Sequence, residues 1–318
     1  MSSKETKCRR YIYGPVPSRR LGLSLGIDIV PMKVCTLDCV YCQLGRTTEM
    51  STVRREFGDI SAIVAEVEIR LAEGVRADYI TIGGSGEPTL NSRLGDLIDR
   101  LHRVTDIPVA VLTNGTLFYR EDVRAECARA DVVIPTLDAG DAATFEAVNR
   151  PARDISIEKL VSGLSTFRDG FAGQIWLEVF IVPGVNANPE QIGKMKELIG
   201  RIRPDKVQLN TAVRPPADKS VEPASRETLA GIALQLGDDC EVIADIAVVC
   251  CDRQALQVTA DVLSMLKRRP CSVRDLCTGL GITADEAMEQ LSDMRNQGLV
   301  VAEPRGDVVY FRTQSKPS

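Results

Sequence analysis

A chain of 318 residues has room for about two domains of ordinary size. Hydrophobic residues at 44% and charged residues at 26% fit a globular protein with its own core and exclude a disordered or fibrous chain. The formal net charge of −5 excludes a global attraction to nucleic acid or anionic membrane, leaving only local basic patches for such partners.

No stretch approaches the ~20 apolar residues of a membrane span. The ten cysteines follow an N-terminus, Met1 to Cys8, with no apolar run behind it, so reduced thiols in a cytoplasmic protein are expected. Residues 1–12, with Lys4, Lys7, Arg9 and Arg10, read as a loosely held arm. Leu23 to Val30 alternates and is rich in branched residues, which predicts a first strand that Pro31 ends. Directly after it comes Cys35-Thr36-Leu37-Asp38-Cys39-Val40-Tyr41-Cys42, three thiols on a C-x3-C-x2-C spacing. A structural zinc site wants four ligands, and His102, the single histidine, is not near a ligand-like pair. A disulfide between such close cysteines would be strained. Three soft thiolates suit an iron–sulfur cubane that keeps one open iron. A loop after the first strand of a parallel barrel lies at the barrel's C-terminal mouth, where such folds keep their active sites.

With Tyr41 just before the last cysteine, this loop resembles that of the radical S-adenosylmethionine enzymes. The stretch from Tyr13-Gly14-Pro15-Val16-Pro17-Ser18-Arg19-Arg20-Leu21-Gly22 through Tyr41-Cys42-Gln43-Leu44-Gly45 resembles the branch grouped with the tRNA wybutosine-synthesising iron–sulfur oxidoreductases. The resemblance implies an α/β fold, a partial (β/α)6 TIM-type barrel. It implies a [4Fe-4S] cluster on Cys35, Cys39 and Cys42, with S-adenosylmethionine chelated at the fourth iron through its methionyl amine and carboxylate. An external one-electron donor, flavodoxin- or ferredoxin-like, would reduce the cluster. Cleavage of the sulfonium would then give methionine and a 5′-deoxyadenosyl radical that abstracts a hydrogen atom.

Asp59 to Glu73 carries Ile60, Ile63, Val64, Val67 and Leu71 at helical spacing, with Asp59 or Ser61 as the cap. Tyr79 to Ile82 is a short strand running into Gly83-Gly84-Ser85-Gly86-Glu87-Pro88, whose glycines let backbone approach a ligand closely. The spacing is not that of a dinucleotide site. The resemblance implies that Ser85, Gly86 and Glu87 lay backbone along the methionyl amino group. Leu94, Leu97, Ile98 and Leu101 mark a helix face, and Pro108 to Leu112 a strand ending in Thr113-Asn114-Gly115. Glu121 to Ala130 is a helix with Cys127 as a small core hydrophobe, and Val132 to Ala139 a fourth strand and its exit. This alternation argues for a parallel sheet, curled or closed. Thr113, Asn114, Thr136 and Asp138 resemble strand-end residues that reach the cofactor in the family; turns that favour polar residues are the alternative. Ser156 to Phe167 is amphipathic, and Ile175 to Val182 is a fifth strand interrupted by Glu178. That carboxylate either faces the lumen and accepts from the cofactor's ribose or points outward at an edge. A helix over Pro189 to Arg203 and a sixth strand over Lys206 to Asn210 follow. Arg214, in the loop beyond, is a candidate to hold an anionic substrate group at the mouth.

These patterns divide the chain into a barrel (1–217), a junction (218–253) and a small C-terminal domain (254–318). The junction's Cys240, Cys250 and Cys251 raise the question of a second cluster with Cys8, although adjacent thiols rarely point at one metal. From Gln254 the pattern is three helices and a hairpin, with a capping box at Thr283 to Glu286, and resembles a winged-helix (α+β) domain. Its third helix carries Asp285, Glu286, Glu289 and Asp293 against Arg295, the wrong charge for phosphate. A peptide or protein partner, or packing on the barrel, fits better than nucleic acid. The substrate stays open among a peptide or protein, a small metabolite and a tRNA base. The reading from another class is an iron–sulfur regulator that binds DNA through the winged helix.

Overall fold

Strands and helices alternate along most of the chain in the computed structural model, which describes residues 11–244 and 258–314. Strand β1 (Ile12–Ser18) turns back into β2 (Gly22–Ile27). The long loop that follows is clipped by a short parallel pairing of β3 (Val34–Cys35) with β4 (Glu49–Met50). Then come α1 (Ile60–Ala72), β5 (Tyr79–Ile82), α2 (Leu94–Val104), β6 (Val109–Leu112), α3 (Glu121–Cys127) and β7 (Val132–Ile134). The series continues through α4 (Ala142–Asn149), α5 (Ile157–Gly170), β8 (Gln174–Ile181), α6 (Pro189–Ile202), β9 (Lys206–Thr211), α7 (Arg226–Leu236) and β10 (Cys240–Val242).

The sheet order is β1-β2-β5-β6-β7-β8-β9-β10. From β2 to β9 every neighbouring pair is parallel, which is the partial (β/α)6 barrel. β1 adds an antiparallel edge and β10 a further parallel strand at the other edge. Neither is announced by the sequence pattern. Pro15 and Pro17 donate nothing to a ladder and argue against a central strand, yet an edge strand tolerates them. β10 is three residues long and mostly exposed, so it shows no alternation. Residues 11 and 12 accordingly belong to the sheet and its approach rather than to a loose arm.

The helices pack on the sheet through the stripes their periodicity predicts. Leu94, Leu97, Ile98 and Leu101 of α2 are fully buried, as are Ile80 and Ile82 beneath them. Each such side chain contributes about 1.5–3 kcal/mol on transfer from water. Asp59 is the cap of α1, accepting from the Ser61 amide at 2.8 Å. Cys127 is fully buried on α3, a core residue.

The C-terminal part is α8 (Val258–Arg268), β11 (Cys271–Ser272), α9 (Val273–Leu280), α10 (Ala284–Asn296), β12 (Val300–Arg305) and β13 (Val308–Thr313). The three strands form one antiparallel sheet in the order β11-β13-β12. Capping boxes start α9, at Ser272 and Asp275, and α10, at Thr283 and Glu286. Leu276, Leu291, Met294 and Phe311 form a small core that also takes in Val16 of β1. A Cβ on Gly279 of α9 would come within 3.1 Å of Pro17 Cδ, so this part sits tightly on the β1–β2 hairpin. Among the described residues no helix is long and apolar enough to cross a membrane. Cys8, Cys250 and Cys251 lie outside the described residues, and with them the second-cluster reading; Cys240 is half-buried on β10.

Candidate active site at the carboxyl ends of the strands

Because β2 and β5 to β9 are parallel, the loops leaving them converge on one edge of the sheet. The cysteine loop is fastened there on two sides. Toward the exit of β5, the Lys33 amide donates to Ser85 O at 2.6 Å and the Glu87 amide to Val34 O at 3.0 Å. Toward the end of α4, the Asp38 amide donates to Asn149 O at 3.0 Å, the Val40 amide to Val148 O at 2.9 Å and the Ala152 amide to Thr36 O at 2.9 Å. Gly86 has no alternative in this arrangement, since a Cβ would lie 2.2 Å from Val34 O.

Cys35, Cys39 and Cys42 are half-buried free thiols. Each sulfur faces a nitrogen donor from a different place in the fold. Asn114 Nδ2, at the end of β6, is 3.5 Å from Cys35 Sγ. Asn149 Nδ2, at the end of α4, is 3.4 Å from Cys39 Sγ. Lys33 Nζ is 3.1 Å from Cys42 Sγ. Burial pushes the Cys35 thiol up to about 12, with the nearby Glu87 carboxylate adding to it. Cys39 is pushed well up by burial and then by Asp138. Thiols like these ionise when a metal replaces the proton. Among the described residues no three His, Cys, Asp or Glu side chains gather closely enough for a single ion. A cubane places each thiolate on a separate iron, so its ligands stand further apart than those of one ion. Three soft sulfurs, each with its own N–H donor, fit such a cluster.

Behind the thiols lie two buried carboxylates. Glu87 accepts from the Thr89 amide at 3.0 Å, the Thr89 hydroxyl at 2.6 Å, the Thr113 hydroxyl at 2.6 Å and the Asn114 amide at 2.7 Å. Asp138 accepts from Asn149 Nδ2 at 2.7 Å, from the Phe180 amide at 2.8 Å and from the Tyr41 hydroxyl. Burial raises the Asp138 carboxyl to about 7 against the pull of these donors. The Tyr41 ring stacks on Phe180, centroids 3.8 Å apart. Ser85 turns its hydroxyl to Asp28. The side chains of Ser85, Glu87, Thr113 and Asp138 therefore brace the loops from behind, and Asn114 reaches the thiol itself. Thr136 is half-buried past β7, in a parallel bridge with Glu178.

The sequence profile described as the radical SAM superfamily matches residues 29–199, from the end of β2 to α6. The chain belongs to the radical SAM superfamily. It is an enzyme, and its cofactors are a [4Fe-4S] cluster and S-adenosylmethionine. UPF0026 protein MJ1312 of Methanocaldococcus jannaschii is 40% identical over 222 residues, which cover 69% of this chain and 69% of that protein. A Brachyspira hyodysenteriae protein named GTPase Obg is 34% identical over 306 residues, covering 94% of this chain. The match spans only 45% of that relative's length. A radical SAM methyltransferase from Sphaerobacter thermophilus shares the fold, with a TM-score of 0.52 at 17% identity over 69% of this chain and 65% of that one.

In this radical SAM enzyme a cavity of about 340 Å³ opens beside Cys42, with Tyr41, Glu178 and Phe180 among its walls. Glu178 thus faces the lumen, not an outer edge. It pairs with Arg20 and accepts from Asn210 Nδ2 at 2.7 Å. Arg214 lines the same cavity but does not stand open as expected, because its Nη2 donates to Asp275 Oδ1 at 3.0 Å. Lys33 and Asn149, which face thiols, and Arg19 and Arg20, which line the cavity, are residues to which the pattern assigns no part. Paired arginines in a hairpin turn were the visible signal for the last two. His102 is a surface partner of Asp131, at 3.1 Å.

Proposed function

We propose that Cys35, Cys39 and Cys42 are the protein ligands of the [4Fe-4S] cluster and that S-adenosylmethionine lies in the cavity beside Cys42, along the ends of β5 to β8. The observation that carries this is the set of three side-chain nitrogen donors, one to each sulfur. When bound and reduced, the cluster supplies the electron that cleaves S-adenosylmethionine to the radical that takes hydrogen from a substrate. The chain's own residues do the holding. Lys33, Asn114 and Asn149 orient the sulfurs and set the charge they carry. The backbone of Ser85 to Glu87 offers itself to the methionyl amine, and Glu178, kept in place by Arg20 and Asn210, accepts from ribose hydroxyls. Thr113, Asp138 and Glu87 fix these loops, and Thr136 carries its hydroxyl at the same edge.

We take α8 to β13 as a winged-helix-like unit that covers the mouth and keeps water out. Asp285, Glu286, Glu289 and Asp293 are exposed on α10, so this face repels phosphate backbones and speaks against a DNA-reading regulator. The electron comes from an external flavodoxin- or ferredoxin-like protein. The test is anaerobic loading with iron and sulfide of Cys35→Ser, Cys39→Ser and Cys42→Ser beside Cys240→Ser. The triad variants should fold, by circular dichroism, and lose iron and sulfide while Cys240→Ser keeps both. A triad variant retaining a full complement would overturn the assignment.

A further inference from the structure

The cavity beside Cys42 is unusual in its charge. In a chain of net charge −5, its walls include Arg19 and Arg20 from the β1–β2 turn, Arg214 from the loop after β9, and Arg268 and Arg269 at the end of α8. Within this set Arg20 pairs with Glu178 and Arg214 with Asp275. Arg19 is held by neutral acceptors instead, Asn210 Oδ1 at 3.1 Å and Ala244 O at 3.4 Å. Arg214 Nε and Arg269 Nη2 are buried without a hydrogen-bond acceptor. A guanidinium does not escape this cost by losing its proton. A buried donor left unpaired costs free energy that a bound acceptor recovers.

Resting on the radical SAM reading above, we propose that these arginines seat the phosphate of a small phosphorylated substrate. Phosphate carries more charge than a carboxylate and has three acceptor oxygens, which suits guanidinium groups arriving from several directions. S-adenosylmethionine itself does not meet the need, because its ammonium and sulfonium outnumber its carboxylate. Mutual repulsion fits the same picture. Burial, then Arg214 and Arg20, lower the Arg19 guanidinium to about 10. Since Arg268 and Arg269 belong to the C-terminal part, that part completes the substrate site. Arg268 is seated on the Tyr13 ring, 4.1 Å from its centroid.

The test is calorimetric titration of the cluster-loaded protein with pyrophosphate, with adenosine diphosphate and with acetate. Pyrophosphate should bind in the micromolar to low millimolar range and acetate should not. Equal affinity for pyrophosphate and the nucleotide would mean that phosphate alone is recognised, and tighter nucleotide binding that a base is read as well; both support the site. Arg19→Gln and Arg269→Gln should each weaken binding about tenfold or more, and Arg103→Gln, exposed on α2, should not. Absence of pyrophosphate binding, binding unaffected by both variants, or binding of polymeric RNA alone would overturn the proposal. Iron content and the change in the cluster's electron paramagnetic resonance on adding S-adenosylmethionine are read on the same sample. Their loss with pyrophosphate binding intact would sink the radical SAM assignment and not the anion site.

Discussion

Glu87→Gln should destabilise the protein although it changes one atom. Oε1 of Glu87 accepts three bonds, from the Thr89 amide and hydroxyl and the Thr113 hydroxyl, while Oε2 accepts one, from the Asn114 amide at 2.7 Å. A carboxylate satisfies four donors because it is acceptor-only. Glutamine must place its NH2 somewhere, and the lesser loss is at Oε2, where it meets the Asn114 amide donor to donor. Leaving a buried donor unpaired costs about 1–3 kcal/mol. Burial already holds the Glu87 carboxyl above its ordinary range, so neutralising it recovers part of the desolvation. The net expectation is about 1–2 kcal/mol for glutamine and more than ~3 kcal/mol for alanine, which abandons all four donors. Urea unfolding reads this directly. The Asn114 side chain is displaced with its amide, so iron retention at Cys35 should fall in parallel. If Glu87→Gln matched wild type within the few tenths of a kcal/mol typical of surface changes, the carboxylate would not be the brace described here.

Gly86→Ala should cost about 1–3 kcal/mol in thermal unfolding and lower iron loading, because the clash is with Val34 backbone; Gly200→Ala on α6, whose Cβ meets nothing within 4 Å, should not destabilise. Asn149→Leu removes the donor to Cys39 and should shift the cluster's reduction potential downward in a redox titration. Asp138 is held at about 7 in the fold against an ordinary 3.8, so its contribution to stability is complete below the lower value and lost as pH rises through the higher one. Between about pH 5 and about pH 7.5 wild type should lose roughly 2–3 kcal/mol that Asp138→Asn does not. Parallel slopes would refute the shift.

The cysteine spacing is legible because its three ligands share one loop. Their donors are another matter. Asn149 lies 110 residues from Cys39 and Asn114 lies 79 from Cys35, and only the parallel topology brings them together. Glu178 stands out as a carboxylate in an apolar strand, yet its partner Arg20 is 158 positions away. Strict helix and strand periods reveal the six central parallel strands, whereas β1 hides behind prolines, and α7 and β10 fall in a stretch whose short, exposed strand has no period. Arg214 was visible as a cation at the mouth, but its tie to Asp275 depends on how the C-terminal part seats on the hairpin.

The central claim is most directly tested by adding S-adenosylmethionine to the anaerobically reconstituted, reduced protein and measuring 5′-deoxyadenosine. Wild type should form it and Cys39→Ala should not. A cluster-loaded, reduced wild type that forms none, or a Cys39→Ala variant that forms as much, would contradict the assignment.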